Sequence, residues 1–385
     1  MAETADSRAW LTLVGLGLVA TANPLGSGCG SDGPGDQNPI DEQAVTDVLA
    51  AVGPEVVIPT LDAFATRSGQ LEAAIEQWQI AIAGGGDTAT SKAAAQDAFL
   101  VAMEAWQEAE LHQIGPAGSS LNVAGGEDLR DEIYSWPTIN PCRVDQETVE
   151  AGWSATDFFS ANLVNSYGLD ALEHLLFADA SNACSGDVDI NADGSWDALG
   201  PAAVEQNRAD FALTLALGVG DNAELLRDRW DSKFSETLAT AAGGNDVYSS
   251  AQDGLNAVYE ALFYLEFVTK DRKIKDPLDG LEDVEGLEAG DAVPRVRANL
   301  VGFRALFSGG SGHGIDDLLD ELGHGDLATQ ILEDTDAAIA VAEGLDGPPD
   351  QALYDAVKLV SDAIKGDLAT VLTLQIPSEA AGDAD

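Results

Sequence analysis

The chain has 385 residues, 45% of them hydrophobic, so it can bury a large core, which we expect to be divided over two domains. Its 67 Asp and Glu outnumber 18 Lys and Arg, for a formal net charge of -49. This balance excludes a nucleic-acid partner, because binding to phosphates requires a basic surface. It also predicts surroundings rich in salt or divalent cations, which screen the self-repulsion of so many carboxylates.

The first 40 residues have the pattern of an export signal followed by a lipid anchor. Residues 10–22 form an apolar run of signal-peptide length, too short to span a bilayer comfortably. Small residues then precede Cys29, as in the lipobox of bacterial lipoproteins, whose cysteine is lipidated. We predict a signal peptide over residues 1–28, lipidation of Cys29 and a tether over 29–40. The protein is then expected on the periplasmic side of a bacterial cell envelope, with the membrane as a partner through the anchor.

Two further cysteines, Cys142 and Cys184, remain for the mature protein. An even pair in an oxidising compartment predicts a disulfide, whereas two cysteines without other partners make a poor zinc site. The bond would close a loop of about forty residues, which is worth roughly 3–4 kcal/mol of stability in the chain-entropy model.

From residue 41 onward the hydrophobic periodicity is helical, and no segment shows the alternation of a strand. The clearest apolar stripe lies along the last helix, at Leu353, Val357, Val360, Ile364 and Leu368. Glycine-rich breaks separate the long helices, as in up-and-down bundles. The sequence therefore predicts an all-α fold.

Within that fold, we predict two helical bundles, each resembling a four-helix bundle, joined by an acidic loop. The apolar pattern stops near residue 180, which gives an N-terminal bundle over 41–180 and an acidic linker over 181–200. The C-terminal bundle then covers 201–376, and residues 377–385 form a tail.

Several acidic side chains lie where a core is expected. Residues 158–177 are apolar nearly all round and predict one buried helix, yet Asp170, Glu173 and His174 occupy one face of it at i, i+3 and i+4. Upstream, Glu110 continues an inward stripe that contains Trp106. Burying a carboxylate requires a cation, a hydrogen-bond donor or a metal ion.

Two interpretations of these residues are open. One is a satisfied polar network that ties helices together, which the spacing alone favours. The other is a metal site between facing helices, for which carboxylates and imidazole suit iron, zinc or manganese.

The same segments resemble the imelysin family. Gly168 to Phe177 is similar to the family's signature helix, whose pattern is GxHxxE followed by an apolar run. The helix with Trp106 and Glu110, its stop at Gly115-Pro116 and the loop with Trp136-Pro137 resemble earlier family segments. Residues 264–279 and 299–303 resemble later ones, so that the similarity covers residues 41–375.

This resemblance implies two helical bundles, a bacterial envelope location and a metal-linked site around GxHxxE. The family is catalogued among metallopeptidases, and its relatives include iron-regulated and iron-uptake periplasmic proteins. Gly168 and Glu173 match the motif, but Asp170 takes the place of its histidine, which removes the nitrogen ligand that zinc chemistry usually uses.

Three functions follow as alternatives. A metallopeptidase needs metal ligands, an open coordination position and a general base, but the chain has no HExxH and only four histidines. We favour a binding or iron-uptake role, in which a metal ion or small ligand is held between helices. A structural or interaction lipoprotein without a small ligand is the third alternative.

The linker contains a weaker candidate, a calcium loop. Its oxygen-bearing residues alternate along the chain as in the first half of an EF-hand: Asp187, Asp189, Asn191, Asp193 and Asp197. The twelfth position is Gly200, however, and not the bidentate Glu of that motif.

One basic cluster stands out in the acidic sequence, formed by Lys270, Arg272, Lys273 and Lys275. Its side chains could pair with carboxylates of the other bundle or meet an anionic ligand. We favour the third interpretation, a solvated helix end with cations near its C-terminus.

Overall fold

A computed structural model describes residues 41–281 and 284–377. The predicted signal peptide, Cys29, the tether and residues 378–385 lie outside the described residues. Every regular element within the described ranges is helical, and the all-α prediction is confirmed.

The first half of the chain begins with three long helices. Helices α1 (Glu42–Ala51) and α2 (Ile58–Gly84) are joined by a π-helical stretch, Val52–Val57, into one rod of 43 residues. Gly85 ends the rod because its φ of 66° leaves the helical region, and α3 (Thr88–Glu110) follows. The rod is long and apolar enough to cross a membrane, but half of its most apolar window is buried against other helices.

Short helices and loops follow, and they surround the site described below. These helices are α4 (Leu129–Ile133), α5 (Pro141–Glu150), α6 (Phe158–Ala161), α7 (Leu169–Phe177), α8 (Asp189–Ala192) and α9 (Ser195–Leu199). Single 3-10 turns lie between them at Gly115–Ala117, Gly152–Ser154 and Val164–Ser166.

The second half contains both long and short helices. They are α10 (Pro201–Arg229), α11 (Ser235–Ala239), α12 (Ala251–Leu262), α13 (Asp276–Asp279), α14 (Ala292–Phe307), α15 (Ile315–Glu321), α16 (Gly325–Glu343), α17 (Gln351–Ala363) and α18 (Ala369–Val371). The linking stretches are π-helical at Trp230–Phe234, Leu265–Lys275 and Ile364–Leu368 and 3-10 at Ala241–Gly243.

The long helices pack in two groups. Helix α2 packs against α3 and α10, and α7 covers α10 and α3; in the second group, α16 packs between α14 and α17, and α17 lies on the π-helix Leu265–Lys275. The two groups meet where α14 packs on α3, and one hydrophobic core runs through both. Helix α10 thus packs with helices of the first half, although the predicted boundary placed it in the second bundle; the boundary itself stays a prediction.

The predicted helix over residues 158–177 is wrong in its length. The chain forms α6, a turn and then α7, and Leu163 in the break is exposed. Gly168 precedes α7 with φ 95°, and a Cβ at this position would lie 2.9 Å from the carbonyl oxygen of Ile133. The close approach of the Ile133 carbonyl, at the end of α4, therefore favours glycine at this position, where the chain is broken between α6 and α7.

Candidate functional site

Helix α7 carries three ionisable side chains that are all buried. Asp170 is 6% exposed, Glu173 8% and His174 4%, so none of them points into bulk water. Although they are close along the helix, each has its own set of partners.

Asp170 is held mainly by hydroxyl and backbone donors. The Ser135 hydroxyl donates to its Oδ2 at 2.8 Å, and the backbone N–H of Ala171 donates to its Oδ1 at 3.0 Å. Burial raises the pKa of Asp170 to about 7, and the hydrogen bond from Ser135 offsets only part of that effect. This carboxyl group is therefore divided between its neutral and charged forms near neutral pH.

His174 lies between two carboxylates. Its Nε2 is 3.1 Å from Asp145 Oδ2, and its Nδ1 is 3.1 Å from Glu288 Oε1. Burial would lower the pKa of His174, but the hydrogen bonds and charges of the two carboxylates raise it to about 9. The imidazole is therefore a cation at neutral pH, and Asp145 also accepts from Arg208 Nη2 at 3.2 Å.

Glu173 is paired with a buried arginine. Arg295 Nη2 donates to Glu173 Oε2 at 2.7 Å, and the backbone N–H of Ala289 donates to Oε1 at 3.2 Å. The same guanidinium donates from Nε to Asp291 Oδ1 at 2.8 Å and from Nη1 to the Tyr134 hydroxyl at 3.0 Å. Burial is the main cause that raises the pKa of Asp291, to about 6.

Glu110 is paired with two cations. Arg130 Nη2 lies 2.6 Å from its Oε1, and Lys273 Nζ lies 3.1 Å from its Oε2. Lys273 is also 3.2 Å from Glu285 Oε2, and the Tyr134 hydroxyl donates to Glu285 Oε1 at 2.5 Å.

These contacts link two of the predicted residues, Glu110 and Glu173, in one buried charge network. From Glu110 it runs to Glu173 in the order Glu110, Lys273, Glu285, Tyr134, Arg295 and Glu173. Glu110 and Glu173 are thus connected through lysine and arginine side chains, which bridge the carboxylates and neutralise their charge.

The basic cluster is not the solvated helix end that we favoured. Lys270 is fully buried and Lys273 is 1% exposed, and Lys270 Nζ lies 3.3 Å from Glu266 Oε1. The first alternative, pairing with a carboxylate of the other predicted bundle, is correct for Lys273, which meets Glu110, whereas Lys270 pairs with Glu266 in its own predicted bundle. They project inward because their π-helix packs against α14 and α17.

The other motif residues shape the surroundings. Trp106 is a core residue whose ring centroid lies 5.0 Å from that of Phe64. Gly115 has φ 55°, and a Cβ there would overlap the ring of Phe234; Pro116 follows it in the buried 3-10 turn. The Trp136 ring, next to Pro137, has Lys273 Nζ 5.8 Å from its centroid.

The calcium-loop residues hydrogen-bond locally. Asp187 accepts from the Ser185 hydroxyl, Asp193 accepts from the backbone N–H of Ser195, and the Asn191 amide donates to the carbonyl of Cys184. Asp189 begins α8 and Asp197 lies in α9, so that this segment is helical where an EF-hand would loop. Calcium binding stays a prediction. The disulfide is confirmed, with Cys142 and Cys184 joined at an S–S distance of 2.01 Å.

The donor set at the motif does not fit a resident metal ion in this arrangement. Within residues 41–281 and 284–377, no group of three or more His, Cys, Asp or Glu side chains is placed to hold one. Glu110 and Glu173 already accept from lysine or arginine, and both ring nitrogens of His174 face carboxylates. A metal ion would have to displace these cations.

Several partners of the predicted residues were not singled out in the sequence: Arg130, Tyr134, Asp145, Glu285 and Arg295. Arg295 carried a usable signal, because it lies on the buried face of α14 together with Asn299, four residues on. The rule that pointed to Glu110, a polar residue on an apolar face, applies equally to this arginine.

A cleft of about 310 Å³ opens beside the network. We call it the motif cleft; its walls include Gln113, Arg130, Ser135, Trp136, Tyr264 and Arg272. Ser135 belongs both to this wall and to the hydrogen bond with Asp170, so the cleft is one hydrogen bond away from the buried face of α7.

The fold and the buried site define an all-helical protein built around an internal charge network. The imelysin family model (peptidase M75) matches residues 57–370, and the chain belongs to this family. No curated protein matches the chain in sequence.

Two solved structures share its fold. An imelysin-like protein from Psychrobacter arcticum superposes with a TM-score of 0.65 at 17% identity, covering 87% of this chain and 98% of that one. A protein described as an iron-regulated protein A precursor, from Parabacteroides distasonis, gives a TM-score of 0.64 at 17% identity, covering 86% and 94%.

Proposed function

We propose that this imelysin-family chain is a non-catalytic binding protein of the cell envelope that takes a small ligand in the motif cleft. The observation that carries the proposal is the position of Ser135, which lines the cleft and donates to Asp170, the residue at the motif's histidine position. A ligand in the cleft that contacts Ser135 would thereby be one hydrogen bond away from the family motif. The cleft volume of about 310 Å³ is in the range of small-molecule sites.

Binding is favoured over peptidase chemistry by the state of the motif carboxylates. A general base must be able to reach a water molecule, but Glu173 accepts hydrogen bonds from Arg295 and from the backbone of Ala289. Glu110 is likewise held by Arg130 and Lys273. These side chains are arranged to hold one another in place.

The envelope location is part of the same proposal. It rests on the predicted export signal and lipidated Cys29, and the disulfide between Cys142 and Cys184 supports it because such bonds persist in oxidising compartments. A role in iron uptake is proposed from the resemblance to the imelysin family, and the Parabacteroides structure supports only a connection with iron, because its name calls that protein iron-regulated. Measuring the metal content of the protein purified from its native envelope would test that role.

The test fills the cleft. Thr138, an exposed residue of the cleft wall, donates to the carbonyl of Ser135, and Thr138→Trp would place an indole across the opening. Thr370→Trp is the matched control, because this exposed threonine also donates to a backbone carbonyl but lies in α18, outside the cleft. Ligands from a small-molecule library, detected by thermal shift, should lose binding to Thr138→Trp and keep it with Thr370→Trp.

Two results would contradict the proposal. One is ligand binding that survives Thr138→Trp unchanged. The other is a stoichiometric metal ion that is lost on Glu173→Ala, which would return the function to the metal site.

A further inference from the structure

The walls of the motif cleft are unusually basic for this chain. They contain two arginines, Arg130 and Arg272, and one carboxylate, Asp131. Asp131 is already paired with Arg130, at 2.9 Å from its Nη1. In a protein with a net charge of -49, the cleft is thus a local region in which cations outnumber anions.

Arg272 has no ion pair or hydrogen bond to any part of the chain that the structure describes. Its side chain is exposed, on the π-helix Leu265–Lys275, while the neighbouring Lys270 and Lys273 point into the core. Most of the arginines that reach the surface have a carboxylate partner, as Arg227, Arg229 and Arg304 do. An unpaired guanidinium at the cleft wall is therefore available to a ligand.

Arg130, in contrast, is held rigidly. Its Nε and Nη2 donate to Glu110 at 3.1 and 2.6 Å, and Nη2 also donates to the carbonyl of Trp136 at 3.0 Å. With Nη1 bound to Asp131, one of the five N–H donors of the guanidinium is left for a ligand. Little entropy is lost when a side chain that is already fixed binds a further group.

The remaining polar wall groups include a further donor. The side-chain amide of Gln113 has no partner among the described residues and can donate to an oxygen. Behind the wall, Lys273 Nζ lies 5.4 Å from the ring centroid of Tyr264 and 5.8 Å from that of Trp136. Such a lining complements an anion that is rich in hydrogen-bond acceptors. Guanidinium groups in particular match the geometry of carboxylates.

Building on the proposed function, we infer that the ligand of the motif cleft is a small organic anion that carries carboxylate groups, with Arg272 as its principal cationic contact. The cleft volume limits the ligand to a small molecule. The low-dielectric walls focus the positive potential inside the cleft, although the protein as a whole repels anions.

The experiment is a calorimetric titration of the mature chain with citrate, inorganic phosphate and glucose. Citrate should bind more tightly than phosphate, and glucose should not bind. Arg272→Gln should weaken citrate binding about tenfold to a hundredfold, the range for loss of one charge-assisted hydrogen bond. Arg67→Gln is the control, because Arg67 is another exposed arginine without an ion pair and lies outside the cleft.

Equal citrate affinity for wild type and Arg272→Gln would overturn the inference, as would tighter binding of phosphate or glucose than of citrate. A neutral ligand that binds wild type and is lost on Thr138→Trp would overturn the anionic class alone and leave the proposed function standing. If no ligand responds to Thr138→Trp, both fail.

Discussion

Helix α14 carries arginines in two environments, the buried charge network and the acidic surface. The side chain of Arg295 is 1% exposed and is bonded to Glu173 and Asp291, whereas that of Arg304 is 42% exposed and paired with Asp336. On the surface, water and salt screen the charges of the excess carboxylates. In the core, a carboxylate charge has to be neutralised by a nearby cation or by a proton. Within the part of the chain that the structure describes, four Lys and Arg are accordingly buried: Arg208, Lys270, Lys273 and Arg295.

The largest expected effect comes from removing the buried arginine. Arg295→Met leaves Glu173 with only the Ala289 N–H as a donor and leaves Asp291 without its cation. Uncompensated buried charge of this kind should lower the free energy of unfolding by about 3–5 kcal/mol, as measured by urea denaturation. Glu173→Gln in the same chain should restore part of the loss, because the unpaired charge is removed.

The control is the same substitution in the other environment of the same helix. Arg304→Met removes the same side-chain volume and charge. We expect it to lower the free energy of unfolding much less than Arg295→Met does. If the two variants lose equal stability, the buried network contributes no more than a surface ion pair.

Asp170 offers a way to measure the cost of a buried acid without a cation. Its pKa rises from 3.8 to about 7 on folding, so the folded state binds the proton more tightly, and the stability of the wild type falls as pH rises between these values. Asp170→Asn has no such loss. The stability of the variant relative to wild type should therefore increase by about 4 kcal/mol from pH 4 to pH 7. A constant difference across that range would show that Asp170 is ionised at little cost.

His174 should make the stability of the protein depend on pH in a higher pH range. Its pKa is raised from 6.5 to about 9, so its contribution to stability is fully present below pH 6.5 and is lost as pH rises through 9. The advantage of wild type over His174→Gln should shrink by about 3 kcal/mol between these limits. Urea denaturation of both proteins at pH 6, 7.5 and 9 measures it. An advantage that stays level would mean that Asp145 and Glu288 do not hold the imidazole in its charged form.

Much of the fold could be predicted because its signals are local. The periodic stripes gave the long helices, and the stripe that contains Trp106 correctly placed Glu110 on a buried face. The disulfide followed from a cysteine count. These inferences need only residues within a few turns of one another.

The partners in the site could not be predicted in the same way. Lys273 meets Glu110 across 163 positions of sequence, and Arg295 meets Glu173 across 122. No local pattern encodes such a pairing, so a row of basic residues on the π-helix resembled a solvated helix end. The break before α7 has the same origin, because the Ile133 carbonyl that approaches Gly168 belongs to a different helix, α4.

The smallest predicted effect is the salt dependence of the stability loss, which should differ between the surface arginine and the buried one. Arg304→Met should cost about 0–1 kcal/mol in dilute buffer, because the Arg304–Asp336 pair is exposed on both sides. That cost should become smaller near 1 M NaCl, where the Debye length falls to about 3 Å and exposed charges are strongly screened. The cost of Arg295→Met should persist, since salt does not reach a pair that is buried on both sides. Urea is the suitable denaturant because it is uncharged and adds no screening of its own. Salt could instead reduce the loss in free energy of unfolding equally in both variants. That result would mean that ions enter the buried network and screen its charges as they do at the surface.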